Sequence, residues 1–376
     1  MLKIVADNKI PFLAGALEPV AQVEYLPGAD INQHHLKDAD ALIIRTRTIC
    51  NARLLEGTRI KFIASATIGH DHIDQNYCLQ KGIAWTNAPG CNASSVVQYV
   101  SSALAHIFLL KERPFGEITL GIIGAGNVGN QLIKVAKTLG LKTIVNDPPR
   151  ARAEGQKAFG SLNETLEKAD IISLHVPLNM SGPDKTFYLA DDSFFEKIKS
   201  GAWFINTSRG EVANTLALTN ALKSGILAGA IIDVWENEPQ IDKNLLEIVT
   251  IATPHIAGYS ADGKANGTAM SVQALSRYFN LGLNHWRPQF IPMPQRPQLS
   301  LSAKAKSKKE IFCELSLQAY NIYADHNALK FAPETFEKLR GDYPIRREPP
   351  ALEVIAQGID PQLQYFIGNL GYIFKG

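Results

Sequence analysis

Three short segments of the chain each place a chemically capable side chain just beyond an apolar run. They are Phe204-Ile205-Asn206-Thr207-Ser208-Arg209-Gly210, Ile231-Ile232-Asp233-Val234-Trp235-Glu236-Asn237-Glu238-Pro239, and Ala252-Thr253-Pro254-His255-Ile256-Ala257-Gly258. Arginine offers a planar fork that matches a carboxylate. Histidine exchanges a proton near neutral pH, and a neighbouring carboxylate holds its tautomer and favours its charged form. Taken singly, Arg209 reads as an ion-pair residue, Glu238 with Pro239 as a turn, and His255 as a structural histidine. Together they change the reading, because ligands of open α/β sheets bind beyond the carboxyl ends of the strands. An arginine, a glutamate and a histidine at successive strand ends form a candidate acid–base site for a carboxylate-bearing substrate.

Upstream, Leu120-Gly121-Ile122-Ile123-Gly124-Ala125-Gly126-Asn127-Val128-Gly129 is an apolar strand running into G-x-G-x-x-G and then a helical pattern over 130–139. Gly124 suits a tight turn, Gly126 a close backbone approach to a pyrophosphate, and Gly129 close helix packing, with the helix N-terminus directed at the phosphates. The next apolar strand ends at Asp147, 18 residues after Gly129. That is where a carboxylate takes the adenosine ribose hydroxyls and repels a 2′-phosphate, so the expected cofactor is NAD. Arg150 and Arg152 follow Pro148-Pro149 in what reads as a loop and are the only local argument for NADP.

Short apolar runs that could be buried strands alternate with helical patterns through the first 255 residues, which makes the class α/β with parallel sheets. The glycine-rich turn comes after several such elements, so a Rossmann-type NAD domain is expected to be inserted into a discontinuous, flavodoxin-like substrate domain. The spacing predicts a long helix from about 91 to 110 and a second from 261 to 283 that returns the chain to the first domain. The expected boundaries are 1–95 with 260–285 for the substrate domain, 96–259 for the NAD domain, and 286–376 for a proline-rich linker and a small α+β C-terminal domain.

Composition sets limits. A chain of 376 residues with 45% hydrophobic and 20% charged residues can bury more than one core. Its 38 Lys and Arg against 36 Asp and Glu leave a formal net charge of +2, too little to attract a polyanion, so no nucleic-acid partner is expected. No apolar run reads as a membrane span, and the start of the chain lacks a secretory pattern, so the expected location is cytoplasmic. Four scattered cysteines suit a reducing compartment. His70, Asp71 and His72 are chemically capable of holding a metal, but adjacent residues of this kind more often cap a helix, and no metal is expected.

The set G-x-G-x-x-G, N-x-x-R-G, D-V-x-x-x-E-P and T-P-H-x-A-G resembles the D-isomer-specific 2-hydroxyacid dehydrogenases over roughly residues 1 to 285. His175-Val176-Pro177 matches that family's H-x-P turn, and Gly69, Asp71 and Asp74 its G-x-D-x-x-D loop. The resemblance implies that Arg209, Glu238 and His255 are catalytic. It implies that Gly124, Gly126, Asn127, Val128, Gly129, Asp147, Val176, Thr207, Asp233 and Gly258 line NAD, and that Thr46, Thr67 and Tyr259 face the substrate. Cys91-Asn92-Ala93, Gly263-Lys264 and the segment Phe336 to Glu348 narrow the resemblance to a branch that acts on a phosphorylated 2-hydroxy acid and dimerises through its C-terminal domain. For the phosphate, Arg45 and one of Arg346 or Arg347, reaching across a homodimer, are the candidates, with Arg347 preferred. Another 2-hydroxyacid dehydrogenase, such as a phosphoglycerate dehydrogenase, or a non-enzymatic NAD-sensing transcriptional co-regulator on the same fold, are the alternatives.

Overall fold

A computed structural model describes residues 1–110, 113–294, 296–302, 306–357 and 359–374. The chain divides into two compact units, one of residues 1–92 with 260–292 and the other of residues 93–259 with 293–376.

The first unit is built on five parallel strands, β1 (Lys3–Asp7), β2 (Gln22–Leu26), β3 (Ala41–Ile44), β4 (Phe62–Ser65) and β5 (Ala84–Thr86), in the order β2-β1-β3-β4-β5. This is the flavodoxin-like order. β3 and β4 are fully buried, as their mostly apolar runs require of central strands covered on both faces. β2 and β5 stand at the edges, half covered, and carry no such run. The helix Ala261–Phe279 belongs to this unit, packing Val272 and Leu275 against Ile4, Ile43 and Phe62. Ser260 caps its start, and Asn280 ends it in the left-handed conformation, four residues before the expected limit.

The second unit carries six parallel strands, β6 (Thr119–Ile123), β7 (Lys142–Asn146), β8 (Ile171–Leu174), β9 (Ala202–Asn206), β10 (Leu227–Ile232) and β11 (Ile251–Ala252). Their order is β11-β10-β9-β8-β6-β7, so the chain reverses direction across the sheet beside β6, the switch point at which doubly wound sheets bind ligands. The helix Ala93–Leu110 opens the unit. By length and composition it could cross a membrane, contrary to the expectation from sequence, yet 78% of it is buried inside the protein. Two of its polar side chains bond inside the protein, Ser102 to the carbonyl of Tyr320 at 2.8 Å and the Gln98 amide nitrogen to that of Arg347 at 2.9 Å. It is a core helix.

The expected small C-terminal domain is present as a third sheet, and its residues from 293 onward group with the six-stranded unit. This segment has its own small parallel sheet, β12 (Gln298–Ser302), β13 (Glu353–Gln357) and β14 (Ile373–Phe374), with helices as crossovers. Its apolar residues nevertheless complete cores begun by the six-stranded unit. Phe312 packs on Phe108 and Phe115 at 6.0 and 6.2 Å between ring centres, and Leu329 and Phe336 join the core around Trp235 and Val249. The proline-rich stretch marks where the chain changes path, and a composition break carries no information about where the apolar faces beyond it are buried.

Candidate active site

At the end of β6, Gly124 turns with φ +93°, and a Cβ there would stand 2.4 Å from the carbonyl oxygen of His175. A Cβ at Gly129 would fall 2.0 Å from the Gly124 oxygen, so helix Asn127–Leu139 lies directly on the turn. At Gly126, the residue before that helix, a Cβ would meet nothing within 4 Å. Two glycines are therefore required by packing, and the third faces open space where the helix N-terminus points, as a pyrophosphate site needs. The helix begins at Asn127, three residues earlier than its apolar pattern suggests, which puts Asn127 and Val128 in the first turn.

Asp147 follows β7. Its carboxylate accepts from the backbone N–H of Ala125 at 2.8 Å and of Arg150 at 3.0 Å, which ties the strand end to the glycine turn. Arg150 is spoken for, since its guanidinium meets Glu154 at 2.6 Å, the Ala125 carbonyl at 2.7 Å and Asn130 at 2.8 Å. Arg152 pairs with Asp184. With both arginines neutralised and the acid at the strand end, the residues present fit NAD and disfavour a 2′-phosphate. Beyond β8, His175 hydrogen-bonds Ser173 at 2.9 Å, with Thr207 at 3.5 Å from its other nitrogen. Burial pushes this imidazole down to about 3, so it stays neutral. Val176 presses its side chain against the Gly124 turn, 2.9 Å from where a Cβ would sit.

Of the three strand-end residues, Glu238 and His255 meet, and the loop that carries Arg209 lies against the loop of Glu238. After β9, the Asn206 side chain accepts from the Ser208 N–H at 3.0 Å and donates to the Arg209 carbonyl at 3.0 Å, closing the turn that presents Arg209. The next residue, Gly210, lies against the backbone of Trp235 in the loop after β10. In that loop Glu238 accepts from the Trp235 N–H at 3.0 Å through one oxygen and meets Nδ1 of His255 at 2.7 Å through the other. Burial raises the Glu238 pKa, but the His255 hydrogen bond and charge, the Trp235 N–H and the charge of Arg340 outweigh it, so the carboxyl is held below its usual range. An ionised carboxylate can only accept, so Nδ1 carries the hydrogen, and in the neutral ring Nε2 then holds the lone pair that can take a substrate proton.

His255 itself has φ +55°, an uncommon backbone conformation for a histidine. The loop is held there from below. Its N–H donates to the Asp233 carbonyl at 2.7 Å, while the Asp233 carboxylate accepts from Thr253 at 2.6 Å, Ile256 N–H at 2.8 Å and Ala257 N–H at 2.9 Å. Asp233, expected to line the cofactor, is buried, and its carboxylate also ties down the histidine loop.

The candidates for the substrate are distributed less evenly. In the first unit Arg45 and Thr46 follow β3, and Arg45 donates to the Lys9 carbonyl at 3.1 Å. Thr67 follows β4 and bonds Ser65 at 2.7 Å. Nearby, Asp74 accepts from the Tyr77 N–H at 2.9 Å and caps helix Gln75–Lys81. Among the described residues no group of three His, Cys, Asp or Glu is arranged to hold a metal ion.

In the second unit Gly258 and Tyr259 continue the histidine loop. Arg347 places its guanidinium beside Sδ of Met293 at 3.1 Å. Arg346, a candidate for the phosphate from sequence, is buried, donating to Ser95 at 2.7 Å and the Ile256 carbonyl at 3.1 Å, with its guanidinium 4.5 Å from the centre of the Tyr320 ring. It is a clamp on the histidine loop. The residue that stands over Tyr259 is Arg340, 5.7 Å from its ring centre, and sequence reasoning did not select it.

A dinucleotide turn, a ribose-directed acid, and an arginine, a glutamate and a histidine at adjacent strand ends define a nicotinamide-dependent 2-hydroxyacid dehydrogenase. Residues 109–257 match the family described as D-isomer specific 2-hydroxyacid dehydrogenase, NAD binding domain. The chain is 50% identical over 355 residues, 94% of its length and 99% of the relative's, to the erythronate-4-phosphate dehydrogenase of Bacteroides fragilis. Among solved structures, D-2-hydroxyisocaproate dehydrogenase superposes with TM-score 0.63 at 25% identity, covering 75% of this chain and 98% of that one. The D-lactate dehydrogenase of Aquifex aeolicus, complexed with NAD and lactic acid, gives 0.60 at 25% identity over 75% of this chain and 96% of that one. The chain belongs to the erythronate-4-phosphate dehydrogenases, within the D-isomer-specific 2-hydroxyacid dehydrogenase family.

Proposed function

We propose that the His255–Glu238 pair and Arg209 carry the oxidation of 4-phospho-D-erythronate to 2-oxo-3-hydroxy-4-phosphobutanoate, a step toward pyridoxal phosphate, the active form of vitamin B6. The 2.7 Å contact between Nδ1 of His255 and the Glu238 carboxylate is the observation that carries this reading. Nε2 of His255 takes the proton of the substrate 2-hydroxyl as the C2–H bond breaks and the carbonyl forms. Glu238 stabilises the imidazolium that results. Arg209 holds the substrate carboxylate in its fork and polarises the forming carbonyl oxygen. NAD⁺, when bound, supplies the hydride acceptor. Gly124, Gly126, Asn127, Val128 and Gly129 hold its pyrophosphate, Asp147 its ribose, and Val176, Thr207 and Gly258 line its nicotinamide half. Asp233 meets the nicotinamide amide and also fixes the histidine loop, a role that its hydrogen bonds to Thr253, Ile256 and Ala257 support.

Thr46, Thr67 and Tyr259 belong to the substrate's surroundings in this account. The chain works in the cytoplasm as a homodimer, with residues 286–376 supplying the contact between copies. Mixing with NAD⁺ and 4-phospho-D-erythronate should generate NADH and a hydrazine-trappable 2-oxo acid in equal amounts. His255→Asn should keep NAD⁺ affinity and lose turnover by about 10² to 10⁴. Turnover within tenfold of the unmodified protein would remove His255 from the proton transfer.

A further inference from the structure

We propose that Arg340, carried to the site by the C-terminal segment, is the specificity residue that receives the substrate's phosphate. The proposal rests on the functional reading above, in which Arg209 is occupied by the carboxylate at one end of a four-carbon acid. The anionic group at the other end then needs a second fixed cation, and arginine's fork suits phosphate.

Three arginines of the C-terminal segment compete for this role, and their surroundings separate them. Arg346 is buried and donates to Ser95 and to backbone carbonyls of the histidine loop. Arg347 sits beside Met293. Arg340 stands over Tyr259, four residues after His255, with its side chain 22% exposed, similar to the 29% of His255 and the 18% of Glu238. It is close enough to Glu238 for each to favour the other's charge. Phe336, 5.9 Å from the guanidinium, walls its other side.

The hydrogen bonding of Arg340 is incomplete. Its guanidinium hydrogen-bonds the side chain of Tyr259, and its Nη1 meets Glu337 at 3.2 Å, an i,i+3 pair with a 41% exposed glutamate, of a kind that holds weakly. Its Nε is buried and has no acceptor. A buried guanidinium N–H without a partner is costly, and an incoming anion is one way to satisfy it. Packing on Phe336 and Tyr259 alone would account for the stem of the side chain but not for a charged head beside the acid–base pair, bonded to Tyr259 and Glu337 and left with one N–H unpaired.

The test compares kcat/KM for 4-phospho-D-erythronate with that for D-erythronate in the unmodified protein, Arg340→Gln and Arg340→Lys, with NAD⁺ affinity and melting temperature as controls. Arg340→Gln should lower the ratio of phosphorylated to plain acid by roughly tenfold or more, chiefly through KM for the phosphorylated acid. Arg340→Lys, which keeps the charge and loses the fork, should lie between the two. Equal losses on both acids, or an unchanged ratio, would overturn the proposal and leave Arg340 a packing residue. Should Arg340→Gln fail to fold, the lysine variant carries the test, with a ratio lowered about threefold expected and an unchanged one contradicting it. An unmodified protein with no activity on 4-phospho-D-erythronate would instead remove the functional reading beneath.

Discussion

Gly210 and Trp235 meet backbone to backbone, for a Cβ added to Gly210 would stand 2.0 Å from the carbonyl carbon and oxygen of Trp235. This contact joins the loop that presents Arg209 to the loop that presents Glu238, and through Glu238 to His255. The glycine of the N-x-x-R-G motif is thus required by the approach of two active-site loops. Gly210→Ala should cost about 1–3 kcal/mol in stability, the usual range for forcing a methyl into a filled space. It should also lower kcat by more than about tenfold, because small displacements of reacting groups are expensive. Thermal melting and steady-state rates read both effects, and a variant that melts and turns over like its parent would show that the two loops can separate freely.

Cofactor choice turns on Asp147. Replacing it with Asn removes the charge that repels a 2′-phosphate and leaves one oxygen, enough to keep one of the two N–H bonds that Ala125 and Arg150 make to separate carboxylate oxygens. The NADP-to-NAD ratio of kcat/KM should rise by roughly tenfold or more. Arg150→Gln should leave that ratio near the parent value, because Glu154, Ala125 and Asn130 already occupy the guanidinium. The reverse ranking of the two variants would make Arg150 the discriminating residue.

Acid stability of the second unit should depend on Asp170. Burial raises the pKa of this carboxyl, but Lys199 and Arg113 at 2.8 Å and the N–H of Thr119 at 2.9 Å overcome it, bringing the value to about 2 from an ordinary 3.8. A carboxyl lowered on folding stabilises the protein above its unfolded value and stops doing so as pH falls through the folded one. Asp170→Asn should therefore cost about 2 kcal/mol near pH 7. The difference from the parent should shrink between about pH 4 and pH 2. Denaturant melts across that range check it, and a difference that does not change with pH would mean that the charge of Asp170 contributes nothing.

Much of this arrangement was legible in the residues, and the parts that were not share a physical cause. The mostly apolar runs at Ala41–Ile44, Phe62–Ser65 and Ile171–Leu174 are central strands whose burial on both faces dictates their composition. Gln22–Leu26 and Ala84–Thr86 are edge strands, half exposed, so nothing forces an apolar pattern on them. The motifs carrying Arg209, Glu238 and His255 were visible because each follows a buried strand at short range. Arg340 and Arg346 were not distinguishable from their neighbour Arg347, since their roles depend on contacts with Tyr259, Ser95 and Ile256 about 80 to 250 positions away. The hold of Asp233 on the histidine loop was hidden for a different reason: a carboxylate at a strand end reads the same whether it faces a ligand or caps the next loop. Likewise, the tail's apolar positions are visible, but not the helix Ala93–Leu110 and the core around Trp235 that they complete.

The central claim, that this site oxidises a 2-hydroxy acid bearing a terminal phosphate on a four-carbon chain, is tested most directly by one comparison. The measurement is kcat/KM with NAD⁺ for 4-phospho-D-erythronate against D-3-phosphoglycerate, which shares the carboxylate, the 2-hydroxyl and the phosphate but is one carbon shorter. The account predicts a preference for 4-phospho-D-erythronate of at least about tenfold, since a single methylene-sized change in a fitted site is worth roughly 10 to 200-fold. Equal rates on the two acids, or a preference for D-3-phosphoglycerate, would contradict it.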